Sequence, residues 1–261
     1  MDSRQSGRGS FGFEVAMTTT ATKLFGIDGC RGGWVIAKSE EDSRAVTFEV
    51  ANNLESLFSQ SSRGGFFIAI DIPIGLSEDS ARACDQEARK FLGSKGSSVF
   101  PVPCRPALQA AAPGRYREAC NLNFQASGRR LSKQSHAILP KIAHVDALMK
   151  PAMQQWIREA HPELAFATMN HCHFVSLNKR TIEGQRKRLQ LLRNAGLAIT
   201  ATDLVAERLR LGRANVKPDD LLDALACLTV ARRIARGHAT RFPLERPEER
   251  DCCGLRMEIW G

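Results

Sequence analysis

The run Phe66-Phe67-Ile68-Ala69-Ile70-Asp71-Ile72-Pro73-Ile74-Gly75-Leu76 is the most apolar in the chain, and its reading decides the fold. Its apolar residues do not alternate with polar ones, which predicts a strand buried on both faces, as parallel strands of α/β sheets are. One carboxylate, Asp71, interrupts it. A carboxylate so close to a core needs a cation, an arginine or backbone N–H groups to offset its desolvation.

Toward the N-terminus, Leu24-Phe25-Gly26-Ile27-Asp28 reads as a second buried strand that also ends in a carboxylate. The turn Gly29-Cys30-Arg31-Gly32-Gly33 leads into a strand over Trp34–Lys38, and polar residues 39–44 lead into a third strand from Ala45 to Val50. Connections this short impose an antiparallel meander. A helix from Asn53 to Gln60 then carries the chain back across the sheet. The fourth strand is thereby expected beside and parallel to the first, with Asp28 and Asp71 at neighbouring strand ends. Ligands of open α/β sheets collect at that edge.

Toward the C-terminus, residues 79–150 read as a helical insertion packed over the strand ends, interrupted where prolines 101, 103 and 106 forbid regular helix. Trp156 to Glu163 reads as a fifth strand running into a turn at Pro162, with Glu163 at its exit and a short helix beginning at Leu164. Glu159 is a second candidate carboxylate. His161 is a possible proton carrier, although a lone histidine is more often structural. His171-Cys172-His173 is discounted as a metal tripeptide, because no second ligand cluster follows it. Lys179-Arg180 precede a basic helix, Gln185–Asn194, whose Arg186, Lys187, Arg188 and Arg193 read as a solvated face. With Arg31, Lys179 and Arg180 are the candidate substrate-binding cations.

The last long helix opens at Lys217-Pro218-Asp219-Asp220-Leu221-Leu222-Asp223 and runs to about Gly237. Proline suits its first turn and acidic residues suit its positive end. Asp220 and Asp223, three apart, project from one face. The apolar ending Leu255–Trp260 is expected to dock on the body of the domain.

The 25% charged and 43% hydrophobic content is that of a soluble globular protein. No run approaches the 18 or so apolar residues of a membrane span. Eight cysteines without a C-x-x-C pair or a secretory signal argue against a zinc ribbon and a disulfide scaffold, and for reduced thiols in the cytoplasm. The net charge of +9 favours polyanions, and the single tyrosine offers no base-stacking platform, so nucleic acid would be gripped mainly through its phosphates. Residues 1–22, polar and aperiodic, are expected to be disordered, and 23–261 to form a single domain.

Carboxylates at the ends of strands one and four, at the exit of strand five and in the last helix thus converge on one side of one sheet. Hard oxygen ligands suit Mg²⁺ or Mn²⁺, and a pair of such ions can drive phosphodiester hydrolysis. The pattern is that of an RNase H-like fold. Gly26-Ile27-Asp28-Gly29-Cys30-Arg31-Gly32-Gly33-Trp34, Asp71-Ile72-Pro73-Ile74-Gly75-Leu76, Ser97-Ser98-Val99-Phe100-Pro101 and His161-Pro162-Glu163 also resemble the signature segments of the domain-of-unknown-function 429 family. Asp219–Ala226 and Gly254–Trp260 resemble its closing motifs. The resemblance implies a nuclease of RNase H-like fold, with Asp28, Asp71, Asp220 and Asp223 as metal ligands and Glu163 joining them in catalysis. The spacing of Asp220 and Asp223 is also similar to the last acidic pair of Holliday-junction resolvases. Those enzymes carry a longer glutamate where this chain has Asp71. Two other readings compete: a non-catalytic RNase H-like scaffold that binds nucleic acid or protein, and an actin-like or sugar-kinase-type enzyme, for which a second phosphate hairpin is missing.

Overall fold

The computed structural model describes residues 21–60 and 65–261, so the expectation of disorder lies, through residue 20, outside the described residues. The first three strands, β1 (Lys23–Cys30), β2 (Gly33–Glu40) and β3 (Thr47–Ala51), form the antiparallel meander that their short turns impose. Helix α1 (Glu55–Gln60), whose Glu55 N–H donates to the Asn53 side chain at 3.2 Å, returns the chain to β4 (Phe66–Ile70). β4 lies parallel to β1 with Ile27 opposite Ile70.

The apolar run outlasts its strand. Pro73 has no N–H to give a ladder, and Gly75 turns the chain with φ +76°. The backbone N–H groups of Ile74 and Leu76 donate instead to the carboxylates of Glu159 and Asp251, at 2.7 and 3.0 Å.

The insertion contributes α2 (Ala83–Leu92), α3 (Tyr116–Ser127) and α4 (Lys133–Leu148), with 3₁₀ turns at Gly93–Ser98 and Arg105–Ala110. β5 (Ile157–Glu159) then pairs parallel to β4. It is shorter than expected, because Pro162 begins α5 (Pro162–Met169) instead of ending a strand. Helices α6 (Ile182–Asn194), α7 (Ala201–Leu211) and α8 (Pro218–Ala235) follow. The chain closes with the two-residue pair β6 (Arg241–Phe242) and β7 (Ile259–Trp260), and Trp260 bridges to Ala160 beside β5. The result is a mixed five-stranded sheet in the order β3-β2-β1-β4-β5, flanked by helices.

Each face of the sheet carries its own apolar core. On one face Leu24, Val35, Ala37 and Ala69 pack with α8. On the other, Ile27, Ile36, Ile68 and Ile70 pack with Leu54 and Phe58 and with Ile142 and Val145 of α4. The two-residue period of β1 puts Leu24, Gly26 and Asp28 on the α8 face. α8 packs on β1, β2, β4 and on α5, α6 and α7, and every residue from Leu221 to Arg232 is buried. A helix buried all round brings its one internal acid, Asp223, into the interior with it.

Candidate functional site

The parallel register sets the first two carboxylates side by side. Ile27 and Ile70 are partners, and the Asp71 N–H donates to the Ile27 carbonyl at 2.9 Å, so Asp28 and Asp71 leave the sheet together. Asp223 arrives from the second turn of α8 and Glu163 from the first turn of α5. These four, with His161, Lys179 and Lys141, line a cavity of about 290 Å³ over the strand ends. Asp220, Arg31 and Arg180 are not among its walls. Asp220 accepts the Lys217 N–H at 2.9 Å and so caps α8, while remaining close enough to raise the pKa of Asp28. Arg31 and Arg180 are exposed.

Burial is the main cause of the site's electrostatics. It lifts the Asp28 carboxyl well above its ordinary range, and Asp71 and Asp223 add to the rise. Burial pushes Asp71 to about 7, with Lys179 opposing and Glu163 reinforcing. Asp223 rises to about 6, again through burial, against the pull of Lys179. Among the described residues the Asp28 carboxylate accepts one hydrogen bond, from the Gly29 N–H at 2.7 Å. Lys179 Nζ donates to Asp223 Oδ2 at 2.7 Å. Burial works against the charged lysine, yet Asp223, Asp71 and Asp28 together hold its pKa above the usual value.

Glu163 has a different environment from the three aspartates. Nη2 of Arg188 donates to both its oxygens, at 2.7 and 2.9 Å. Arg188 was expected on a solvated face and is instead only 1% exposed. Its head reaches inward because a buried carboxylate requires a buried counterion. Replacing Arg188 by methionine leaves Glu163 uncompensated and should cost on the order of 3–5 kcal/mol in urea denaturation, more than truncating an exposed arginine. A loss below about 1 kcal/mol would show that solvent already screens the pair.

Glu159, the other candidate on β5, is committed to structure. Arg82 donates to its two oxygens at 2.7 and 2.8 Å and also binds Asp85, tying the insertion to the sheet. His161 has Nε2 at 3.3 Å from the Ser98 carbonyl and a buried Nδ1 with no partner among the described residues; burial lowers its pKa, leaving the ring neutral at pH 7. His171-Cys172-His173 lies in a turn away from the cavity.

Lys141 of α4 was not anticipated from sequence. Its Nζ sits 4.5 Å from the centre of the Trp34 ring and donates to the Gly33 carbonyl, and its stem runs past Gly29. No local signal marks it, because only the folding of the insertion over the strand ends brings it there.

The donor set suits a hard divalent cation: carboxylate oxygens, partly desolvated, with Asp71 accepting no protein hydrogen bond among the described residues. Their arrangement does not complete such a site: no three His, Cys, Asp or Glu side chains among the described residues are posed to hold a metal ion. Among the described residues no helix is long and apolar enough to cross a membrane. The chain belongs to the family described as "Protein of unknown function (DUF429)", which it matches over residues 26–248. No curated protein and no solved structure matches it.

Proposed function

We propose that this family member is a metal-dependent phosphodiesterase acting on nucleic acid, built on an RNase H-like domain. The observation that carries the reading is the meeting of Asp28, Asp71 and Asp223, from β1, the end of β4 and α8, in one cavity at the sheet's ligand-binding edge. Mg²⁺ or Mn²⁺, when bound, supplies Lewis-acid polarisation of the phosphoryl group and a more acidic water. Asp28, Asp71 and Asp223 would hold it, and Asp220 adds negative potential from the cap of α8. Glu163, neutralised by Arg188, shapes the wall and holds Lys179's loop through that arginine.

Lys179 and Lys141 bring positive charge to where phosphate oxygens would sit. Outside the cavity, exposed Arg31 and Arg180 have no ion-pair partner among the described residues and would attract flanking phosphates. Neutral His161 can accept a proton but carries no charge to stabilise an anion. All eight cysteines are free thiols, which supports a cytoplasmic setting.

One observation favours the scaffold reading: the Lys179–Asp223 pair already neutralises part of the cluster. A panel of labelled single-stranded DNA, duplex DNA, RNA and four-way junction, with Mn²⁺ at roughly 10 mM, separates the two. The enzyme reading expects metal-dependent products from at least one substrate. Salt-sensitive binding to the panel with no product would overturn it in favour of the scaffold.

A further inference from the structure

We propose that the groove between α6 and α7 is a docking surface for an acidic amphipathic helix of a partner protein. The inference is independent of the activity proposed above, because the groove shares no lining residue with the acidic cavity.

Both helices pack on α8, and between them lies a cavity of about 310 Å³ that Pro218 and the buried Leu222 of α8 also line. α6 presents Ile182, Gln185, Arg186 and Leu189 to it, and α7 presents Ala201, Leu204, Val205 and Arg208. Each set recurs at i, i+3, i+4 and i+7, the spacing of one helix face. A helix normally buries such a stripe against its neighbours. Here no residue of α7 is buried, Val205 is 59% exposed and Ile182 68%. Two apolar stripes bordering one open channel suit the apolar face of a third helix.

Charge decides which helix. Arg186, Arg208 and Arg213 line the groove, and among the described residues no carboxylate does. None of the three has an ion-pair partner among the described residues; Arg208 Nε donates to the Val216 carbonyl at 3.0 Å, which holds that guanidinium at the wall. The acids of α7 are engaged elsewhere, Asp203 in its capping box and Glu207 with Arg210. The occupant therefore needs apolar side chains for the channel and carboxylates for the arginines. A second copy of this face would set arginine against arginine. Nucleic acid could meet the arginines with phosphates, but the lining has no aromatic ring on which a base could stack. Arg188, two residues after Arg186 and so on nearly the opposite side of α6, faces Glu163. A helix docked in the groove thus leaves the acidic cavity open.

The test is fluorescence anisotropy of a labelled helical peptide of about 15 residues, made of leucine, glutamate and alanine with leucines at i, i+3, i+4 and i+7. It is titrated with the full chain, with the pair Ile182→Gln and Val205→Gln, and with the pair Arg186→Gln and Arg213→Gln. All four side chains are exposed, and circular dichroism confirms that each variant is folded. The unaltered chain is expected to bind with a Kd below about 100 μM, and each pair to bind about tenfold more weakly or worse. The arginine pair should also flatten the salt dependence, which the apolar pair should leave as it is. No binding at about 1 mM, unchanged affinity in either pair, or equal binding of the same peptide with lysine for glutamate would overturn the inference. Labelled single-stranded DNA that displaces the peptide, and whose binding only the arginine pair weakens, would overturn it in favour of a phosphate-binding surface.

Discussion

Alanine at Gly26 is expected to lower the melting temperature by roughly 10 °C or more, the largest stability effect of any single methyl group added to this sheet. A Cβ at Gly26 would lie 2.1 Å from the Leu228 nitrogen and 2.2 Å from the Ala224 oxygen. Both are backbone atoms of α8, so no side-chain rotation relieves the clash. Gly26 faces Ala37 on β2 and Ala69 on β4, and this row of small residues lets the helix lie directly on the sheet. Lifting α8 would loosen the core on that face and carry Asp223 away from Asp28 and Asp71. Overpacking commonly costs about 1–3 kcal/mol, and a clash between two backbones belongs above that range. In a domain of this size each kcal/mol moves the midpoint by about 2–4 °C. Thermal unfolding followed by circular dichroism measures it; a midpoint within about 3 °C of the unaltered chain would show that helix and sheet are not in such close contact.

Asp71→Asn is expected to raise stability at pH 8 while reducing metal-dependent cleavage by about a thousandfold. The stability gain follows from proton linkage. The Asp71 carboxyl titrates near 7 in the folded chain and near the ordinary 3.9 when unfolded. Between those values the folded state holds a proton that the unfolded state has lost, so stability falls as pH rises from about 4 to 7. Above that window the full cost of a buried, crowded carboxylate remains, on the order of 4 kcal/mol, with the pull of Lys179 already counted in that midpoint. Asparagine never ionises and escapes the cost. Urea denaturation without metal should therefore find the variant more stable than the unaltered chain at pH 8 and nearly equal to it at pH 4.5. A variant less stable at pH 8 would mean that Asp71 is a structural carboxylate, satisfied where it stands.

The sheet was legible because short turns force antiparallel neighbours and an unbroken apolar run forces a buried parallel strand. Those two rules placed β1 to β4 and brought Asp28 beside Asp71. The buried stripe of α8 likewise announced a helix that carries Asp223 inward. Proline was the source of one error. The sequence pattern puts a turn at Pro162, whereas a first-turn position costs it no hydrogen bond, and Glu163 therefore belongs to α5. Charge partnerships were the other hidden layer. Arg188 looks solvated on its own helix because the acid it serves lies 25 residues earlier on another element. Lys179 reads from sequence as a phosphate-binding cation, and nothing local shows that it also pairs with Asp223, 44 residues later, at 2.7 Å. Lys141 enters only through the packing of the insertion, which no local periodicity encodes.

The central claim is that Asp28, Asp71 and Asp223 form a cation site, and one measurement addresses it without a guess at the substrate. Thermal midpoints are recorded for the unaltered chain and for Asp71→Asn, with and without Mn²⁺ at roughly 10 mM, at pH 6 and pH 8. Because protons compete with the ion for the carboxylates, Mn²⁺ should raise the midpoint of the unaltered chain by about 5 °C or more at pH 8, by less at pH 6, and by almost nothing in Asp71→Asn. Equal shifts in the two proteins, or none in either, would contradict the claim.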